Sequence, residues 1–60
     1  MRIALDAMGG DHAPDCVISG ADLSKGRNPH IEMVFFGNAD RIRSLLNHTK
    51  NLRNAEIVHT

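Results

Sequence analysis

The sequence contains little that could stabilise a domain through covalent links or large aromatic side chains. Its sixty residues include one cysteine, two phenylalanines, and neither tryptophan nor tyrosine. The single cysteine, Cys16, excludes a disulfide within the chain and favours a reducing compartment. A chain this short buries only about 60% of the surface that it exposes when unfolded. Its stability therefore has to be explained by other means.

Long apolar runs and an excess of charge of one sign are absent as well. No run is long enough for a signal peptide or a membrane-spanning helix, so we expect a cytoplasmic protein. Seven basic and seven acidic side chains cancel, which argues against a protein that binds nucleic acid by neutralising phosphates. The stretch from Ile3 to Ser24 nevertheless holds four aspartates and no lysine or arginine. The beginning of the chain is therefore acidic.

The sequence does contain an alternation of strand and helix patterns. Short apolar runs predict three buried strands, over residues 2–6, 31–37 and 55–60. The second run is nearly all apolar, as expected for a strand covered on both faces. Helical spacing of apolar residues predicts helices over 14–26 and 38–50. The order strand, helix, strand, helix, strand predicts an α/β fold with a parallel sheet.

The ends of both predicted helices have recognisable signals. Lys25 and Gly26 favour the end of the first helix, and Asn38 is a suitable N-cap for the second. Gly20 inside the first helix predicts that this helix lies close against a strand.

Three parallel strands do not make a complete domain, because both outer strands would have open edges. We therefore expect residues 1–60 to be the N-terminal part of a single larger α/β domain, at the start of a doubly wound parallel sheet. The alternative is a small module that dimerises.

The segment LDAMGGDHAPD, residues 5–15, joins the first strand to the first helix and carries the candidate site. Ligands of parallel sheets bind beyond the carboxyl ends of the strands, where this segment is expected. Gly9 and Gly10 let a ligand approach the backbone, and the amides at the start of the helix favour an anion. In the alternative interpretation, Asp11 or Asp15 caps the helix and the glycines form only a tight turn.

Other side chains of this segment leave further alternatives open. Asp6 either fixes the shape of the loop or contacts the ligand. Asp6, Asp11, His12 and Asp15 have metal-binding side chains, but their spacing matches no specific metal site. The segment has neither a Walker loop nor a G-x-G-x-x-G fingerprint, so it fits no well-known phosphate-binding motif.

The remaining histidines and the cysteine have simpler interpretations. We expect His12 to be solvated and Cys16 to be a partly buried helix residue. Three further histidines lack companions that suggest chemistry: His30, His48 and His59.

The segments IALDAMGGDHAPDCVISGA and VFFGNADRI together resemble the N-terminus of the bacterial phosphate acyltransferases, the PlsX family. The resemblance covers essentially all sixty residues of this chain, in a family whose members are several times longer. It implies a fold similar to that of the isocitrate and isopropylmalate dehydrogenases. The implied reaction moves a fatty acyl group from acyl carrier protein to inorganic phosphate, giving acyl phosphate for phospholipid synthesis.

Carried onto this chain, the family's D-A-M-G-G-D motif nominates five substrate-binding residues: Asp6, Met8, Gly9, Gly10 and Asp11. The implied partners are acylated acyl carrier protein, inorganic phosphate, a second subunit of a homodimer, and the glycerol-phosphate acyltransferase at the inner membrane surface. No metal or organic cofactor is implied. The basic residues for phosphate are expected beyond Thr60, so the isolated chain is predicted to be inactive.

Two other functions remain open at this point. The chain could be a fragment of a nucleotide-binding or dehydrogenase-like α/β protein, or a non-catalytic dimerising module.

Overall fold

The computed structural model describes residues 1–7 and 15–60 of the chain. Its elements are β1 (Arg2–Asp6), α1 (Asp15–Arg27), β2 (Glu32–Gly37), α2 (Ala39–Leu46) and β3 (Glu56–His59). The strands form one parallel sheet in the order β1-β2-β3. The predicted βαβαβ order of an α/β fold is therefore confirmed.

One face of the sheet carries the hydrophobic core. Both helices pack on this face, because right-handed crossovers between strands in chain order place successive helices on the same side. The core cluster joins side chains from α1, α2 and alternate positions of the strands, including Ile18, Ala21, Phe35, Ile42 and Leu46. Phe35, Ile42 and Leu46 are fully buried. The apolar spacing that predicted each helix is thus the spacing of its core-facing side chains.

Neither helix covers the opposite face of the sheet. Ala4, Val34, Phe36 and Val58 line a shallow depression of about 270 Å³ there. Val34 is buried in the central strand, but Val58 keeps 36% of its surface exposed. The sequence predicted a β2 covered on both faces; within residues 1–7 and 15–60, helices cover only one of them.

The second helix is shorter than predicted. It ends at Leu46, because a turn centred on Thr49 replaces the last helical bonds. Thr49 Oγ1 donates to the Leu46 carbonyl at 2.6 Å and accepts from the Leu52 N–H at 3.2 Å. Side-chain bonds of this kind compete with the helix for backbone groups. His48 and Lys50 consequently lie beyond the helix.

The first helix corrects three details of the prediction. It continues through Gly26 and ends at Arg27. The expected close approach at Gly20 is wrong, because no described atom outside its own helix lies within 4 Å of a Cβ built there. Cys16 is exposed rather than partly buried. The glycine therefore serves no packing contact among the described residues.

A long-range clamp ties α1 to the loop before β3. The Asp22 carboxylate accepts from the backbone N–H groups of Lys50, at 3.3 Å, and Asn51, at 2.9 Å. In return, Asn51 Nδ2 donates to the Asp22 carbonyl at 3.1 Å. These bonds fix the beginning of the loop 50–55, which leads into β3.

Candidate functional site

The candidate segment begins at the end of β1, at the edge of the sheet where the strands have their carboxyl ends. Asp6 is the last residue of β1 and pairs in register with Phe36 of the central strand. The next residue, Ala7, is fully buried, and its N–H donates to the Phe36 carbonyl at 3.0 Å. Backbone hydrogen bonds therefore hold the chain to the central strand through Ala7.

Four of the five predicted substrate-binding residues lie outside the described residues: Met8, Gly9, Gly10 and Asp11. The helix entrance expected at Ala13 and Pro14 lies outside them as well. Of the predicted set, the structure places Asp6. Alternation along β1 puts the Asp6 side chain on the face away from the helices, since Leu5 packs on the core side.

The turn from β2 to α2 forms the second part of this edge. Gly37 has a φ of 153°, a conformation that residues with a Cβ rarely adopt. The following residue, Asn38, is extended, and its Oδ1 accepts from the Arg41 N–H at 3.1 Å. This confirms the predicted N-cap of α2.

His59 is a member of this edge that sequence reasoning missed. It is the last residue of β3 and lies opposite Gly37 in the register of the sheet. The Ala39 N–H donates to its Nδ1 at 3.0 Å, so the ring occupies a second free amide at the start of α2. This partner is a backbone N–H, so the expectation that His59 lacks companions that suggest chemistry stays a prediction. The sequence signal that could have placed His59 at this edge is its position at the end of the predicted third strand.

We call the strand ends and the β2–α2 turn the carboxyl edge; its described members are Asp6, Gly37, Asn38, Ala39 and His59. Backbone bonds join its parts, since the Thr60 N–H also donates to the Gly37 carbonyl at 3.0 Å. Two of the amides that a helix N-terminus leaves unpaired are satisfied at α2 by side chains of this chain. The start of α2 is therefore less suited to bind an anion than an uncapped helix.

Three basic side chains are held away from the carboxyl edge. Arg2 begins β1, and its guanidinium contacts Glu56 at 2.9 Å. Lys25, in the last turn of α1, donates to backbone carbonyls of the turn before β2. Arg53 donates to the Thr49 carbonyl at 3.1 Å in the loop after α2. These three cations lie at the amino-terminal edge of the sheet.

The part of the chain that the structure describes contains neither a metal-binding cluster nor a membrane-spanning helix. Residues 1–7 and 15–60 bring no three His, Cys, Asp or Glu side chains together in a metal-binding group. None of the helices described there is long and apolar enough to cross a membrane.

Comparison with known proteins gives matches over the whole chain. The chain is 46% identical to the phosphate acyltransferase of Parvibaculum lavamentivorans over 61 aligned positions, which cover all of this chain and 17% of that protein. The phosphate acyltransferase of Rhodospirillum centenum is 59% identical over 44 residues, 73% of this chain and 12% of that protein. That of Lacticaseibacillus casei is 38% identical over 60 residues, 100% of this chain and 17% of that protein.

The chain therefore spans less than a fifth of the length of these relatives. A family model described as "Fatty acid synthesis protein" also matches residues 1–60. On this match over residues 1–60, the chain belongs to the fatty acid synthesis protein family.

Proposed function

We propose that these sixty residues are the N-terminal part of a longer phosphate acyltransferase and form one wall of its substrate cleft. The observation that carries the proposal is the match of the whole chain to proteins of that name. The alternative functions, a nucleotide-binding fragment and a dimerising module, have no such support. The reaction transfers a fatty acyl group from the thioester of acyl carrier protein to inorganic phosphate.

The reaction sets clear demands on the cleft. A phosphate oxygen attacks the thioester carbonyl carbon, a C–O bond forms, and the C–S bond breaks to release the thiol. The enzyme has to hold an anion against a carbonyl group and stabilise the negative charge that develops on the carbonyl oxygen. We assign this role to the backbone amides at Gly9, Gly10 and the helix entrance, in a cleft wall that also comprises Asp6, Met8 and Asp11.

A difference between the starts of the two helices supports this assignment. Asn38 and His59 occupy amides at the start of α2. The start of α1 follows the glycine pair, whose backbone a phosphate could approach closely. We place the phosphate there and propose that residues beyond Thr60 supply its balancing cations, as the family resemblance implies.

The open face of the sheet supports a larger, doubly wound fold. Parallel sheets occur almost only where helices cover both faces, and among the residues described no helix covers the face of Val34, Phe36 and Val58. We propose that later helices of the longer protein cover this face, in a fold similar to that of the isocitrate and isopropylmalate dehydrogenases. A homodimer, a cytoplasmic location and association with the membrane surface belong to the same proposal and rest on the family resemblance.

The test is a graft. The matching segment of the Parvibaculum lavamentivorans phosphate acyltransferase is replaced by residues 1–60 of this chain; we call the product the grafted enzyme. We expect phosphate-dependent release of thiol from acylated acyl carrier protein and formation of acyl phosphate, within about tenfold of the parent rate.

Two outcomes would contradict the proposal. A grafted enzyme that folds as the parent does but transfers no acyl group would show that this segment does not serve the reaction. Activity of the isolated sixty residues would show that the phosphate-binding cations are not supplied from elsewhere.

A further inference from the structure

A cavity of about 430 Å³, which we call the amino-terminal cavity, lies at the amino-terminal edge of the sheet. The last turn of α1, the first residues of the strands and the loop 50–55 form its walls. Cavities that bind small molecules measure roughly 300–1,000 Å³. Cations outnumber carboxylates in its lining: Arg2, Lys25, Lys50 and Arg53 against Glu32 and Glu56. The amino-terminal cavity therefore carries an excess of positive charge.

Lys25 is oriented by backbone carbonyl groups and not by a carboxylate. Its Nζ donates to the Pro29 carbonyl at 2.8 Å and to the Ile31 carbonyl. These two bonds use two of the three protons of the ammonium group. Because a carbonyl oxygen carries no full negative charge, Lys25 keeps its positive charge and one hydrogen-bond donor for a ligand.

Arg53 is held in a similar way. Its Nε donates to the Thr49 carbonyl at 3.1 Å. As far as the described chain shows, no carboxylate pairs with Arg53, and its terminal nitrogens Nη1 and Nη2 make no hydrogen bond. These two nitrogens can bind two oxygens of one phosphate or carboxylate group. The bond to Thr49 thus orients a guanidinium group that keeps its paired donors.

The loop that carries Lys50 and Arg53 is held on two sides. The Asp22 carboxylate accepts from the backbone N–H groups of Lys50 and Asn51. From the other side, Arg43 Nη1 donates to the Arg53 carbonyl at 2.9 Å. A site that is assembled before its ligand arrives loses less conformational entropy on binding.

The two carboxylates of the lining are paired with Arg2. The Arg2 guanidinium contacts Glu56 at 2.9 Å and Glu32 at 3.8 Å. This pairing reduces the repulsion that a bound anion meets, and a carboxylate has further lone pairs that accept hydrogen bonds from hydroxyl groups. The lining therefore offers cations on the side of the loop and acceptors on the side of the strands.

We propose that the amino-terminal cavity binds a phosphate group, either as free phosphate or as part of a small hydroxylated phosphate monoester. Lys25, Lys50 and Arg53 balance the two negative charges of the group. Arg53 binds two of its oxygens, and the lysines act as point charges. In a monoester, the hydroxyl groups donate to Glu32 and Glu56. No covalent bond forms or breaks in this site.

The test measures the chemical reactivity of individual arginines in the grafted enzyme. Phenylglyoxal modifies arginine side chains, and mass spectrometry of the digested protein gives a rate for each. Inorganic phosphate or glucose 6-phosphate replaces chloride at constant ionic strength, so that screening stays the same. Either probe should slow the modification of Arg53 by at least about fivefold once the site is mostly occupied. Arg27, exposed at the end of α1 and outside the lining, should keep its rate.

Two substitutions test the set of cations. Lys25→Met and Lys50→Met keep an unbranched side chain and remove the charge. Each should raise the phosphate concentration that half-protects Arg53 by about threefold to tenfold. Arg27→Met is the matched control and should not change it. Lys50→Met breaks no described side-chain bond, so it remains informative if Lys25→Met unfolds the protein.

The two probes distinguish the sources of the phosphate group. Protection by glucose 6-phosphate at lower concentrations identifies a monoester, and protection by inorganic phosphate at equal or lower concentrations identifies free phosphate. Three results would overturn the proposal. They are an Arg53 that does not react before phosphate is added, because the rest of the protein covers the cavity; equal protection of Arg53 and Arg27; and unchanged half-protection in both lysine variants.

The measurement does not depend on acyl transfer. A grafted enzyme that transfers no acyl group but whose Arg53 is protected by phosphate would contradict the proposed function alone.

Discussion

Asn38 holds the start of α2 at the carboxyl edge through a single local bond. Its Oδ1 accepts from the Arg41 N–H at 3.1 Å. We expect Asn38→Ala to lower the free energy of unfolding of the grafted enzyme by about 1 kcal/mol, because the Arg41 N–H loses its acceptor. Urea denaturation measures this change. Asn38→Ser is the control, since serine also caps helices, and an equal loss in both variants would contradict the capping role.

Two glycines should respond to alanine in opposite directions. Gly20 lies in the exposed interior of α1 with open space around a Cβ, whereas Gly37 has a φ of 153°. Gly20→Ala should raise the free energy of unfolding by about 0.5–1 kcal/mol, because alanine favours the helix and restricts the unfolded chain. Gly37→Ala should lower it by more than about 1 kcal/mol, through backbone strain. Thermal unfolding of both variants checks the pair; a destabilised Gly20→Ala variant would indicate an unseen contact.

The sequence could predict the role of a residue when its hydrogen-bond partner lies close to it in the chain, but not when the partner is distant in sequence. Asn38 could be predicted as an N-cap because the backbone N–H that it accepts from, that of Arg41, lies three residues further on, as is usual for N-caps. His59 and Ala39 are twenty residues apart and meet only through the pairing of β2 with β3. The role of Gly20 was misjudged for the same reason, since the distance from a helix face to its neighbours is a property of the fold.

Among the elements, the strands and the order of the sheet follow directly from apolar patterning. The predicted run 31–37 became β2 with one residue fewer, and its buried side chains include Met33, Val34 and Phe35. Helix ends were harder to predict. The apolar spacing of α2 continues past the end of the helix to Leu52, which is buried. Between them lies a turn that the Thr49 hydroxyl stabilises. A hydroxyl that bonds to two backbone groups cannot be foreseen from periodicity alone.

The attachment of α1 to the loop before β3 depends on one carboxylate. Asp22 accepts from two consecutive backbone amides, those of Lys50 and Asn51. We expect Asp22→Ala to destabilise the grafted enzyme by about 1–2 kcal/mol, because both amides lose a charged acceptor. Hydrogen exchange of the two amides should rise along with this loss.

Asp22→Asn provides the matched variant for this clamp. Its amide oxygen can still accept one of the two bonds, so we expect roughly half of the loss and partial protection from exchange. Unchanged exchange at both amides in Asp22→Ala would show that the loop keeps its conformation without the carboxylate.

On the scale of the whole molecule, the sheet has two different faces. α1 and α2 cover one, and the other presents Ala4, Val34, Phe36 and Val58, with Arg2 and Glu56 paired at its amino-terminal end. The sequence could predict both faces as apolar, because β2 is apolar at successive positions. It could not predict what covers the second face, since both helices of residues 1–7 and 15–60 lie on the same side of the sheet.

Val58 provides a test of whether the longer protein covers this face. In the isolated chain, Val58→Lys should cost little stability, because the side chain is already 36% exposed, and it should reduce self-association of the apolar face. In the grafted enzyme the same change should cost at least about 2 kcal/mol, because the charge would be buried under a covering element.

Sedimentation measures the change in self-association, and urea denaturation measures the change in stability. Val58→Thr, of similar shape and without charge, is the control. A Val58→Lys substitution that is harmless in the grafted enzyme would show that the face stays open to water in the longer protein.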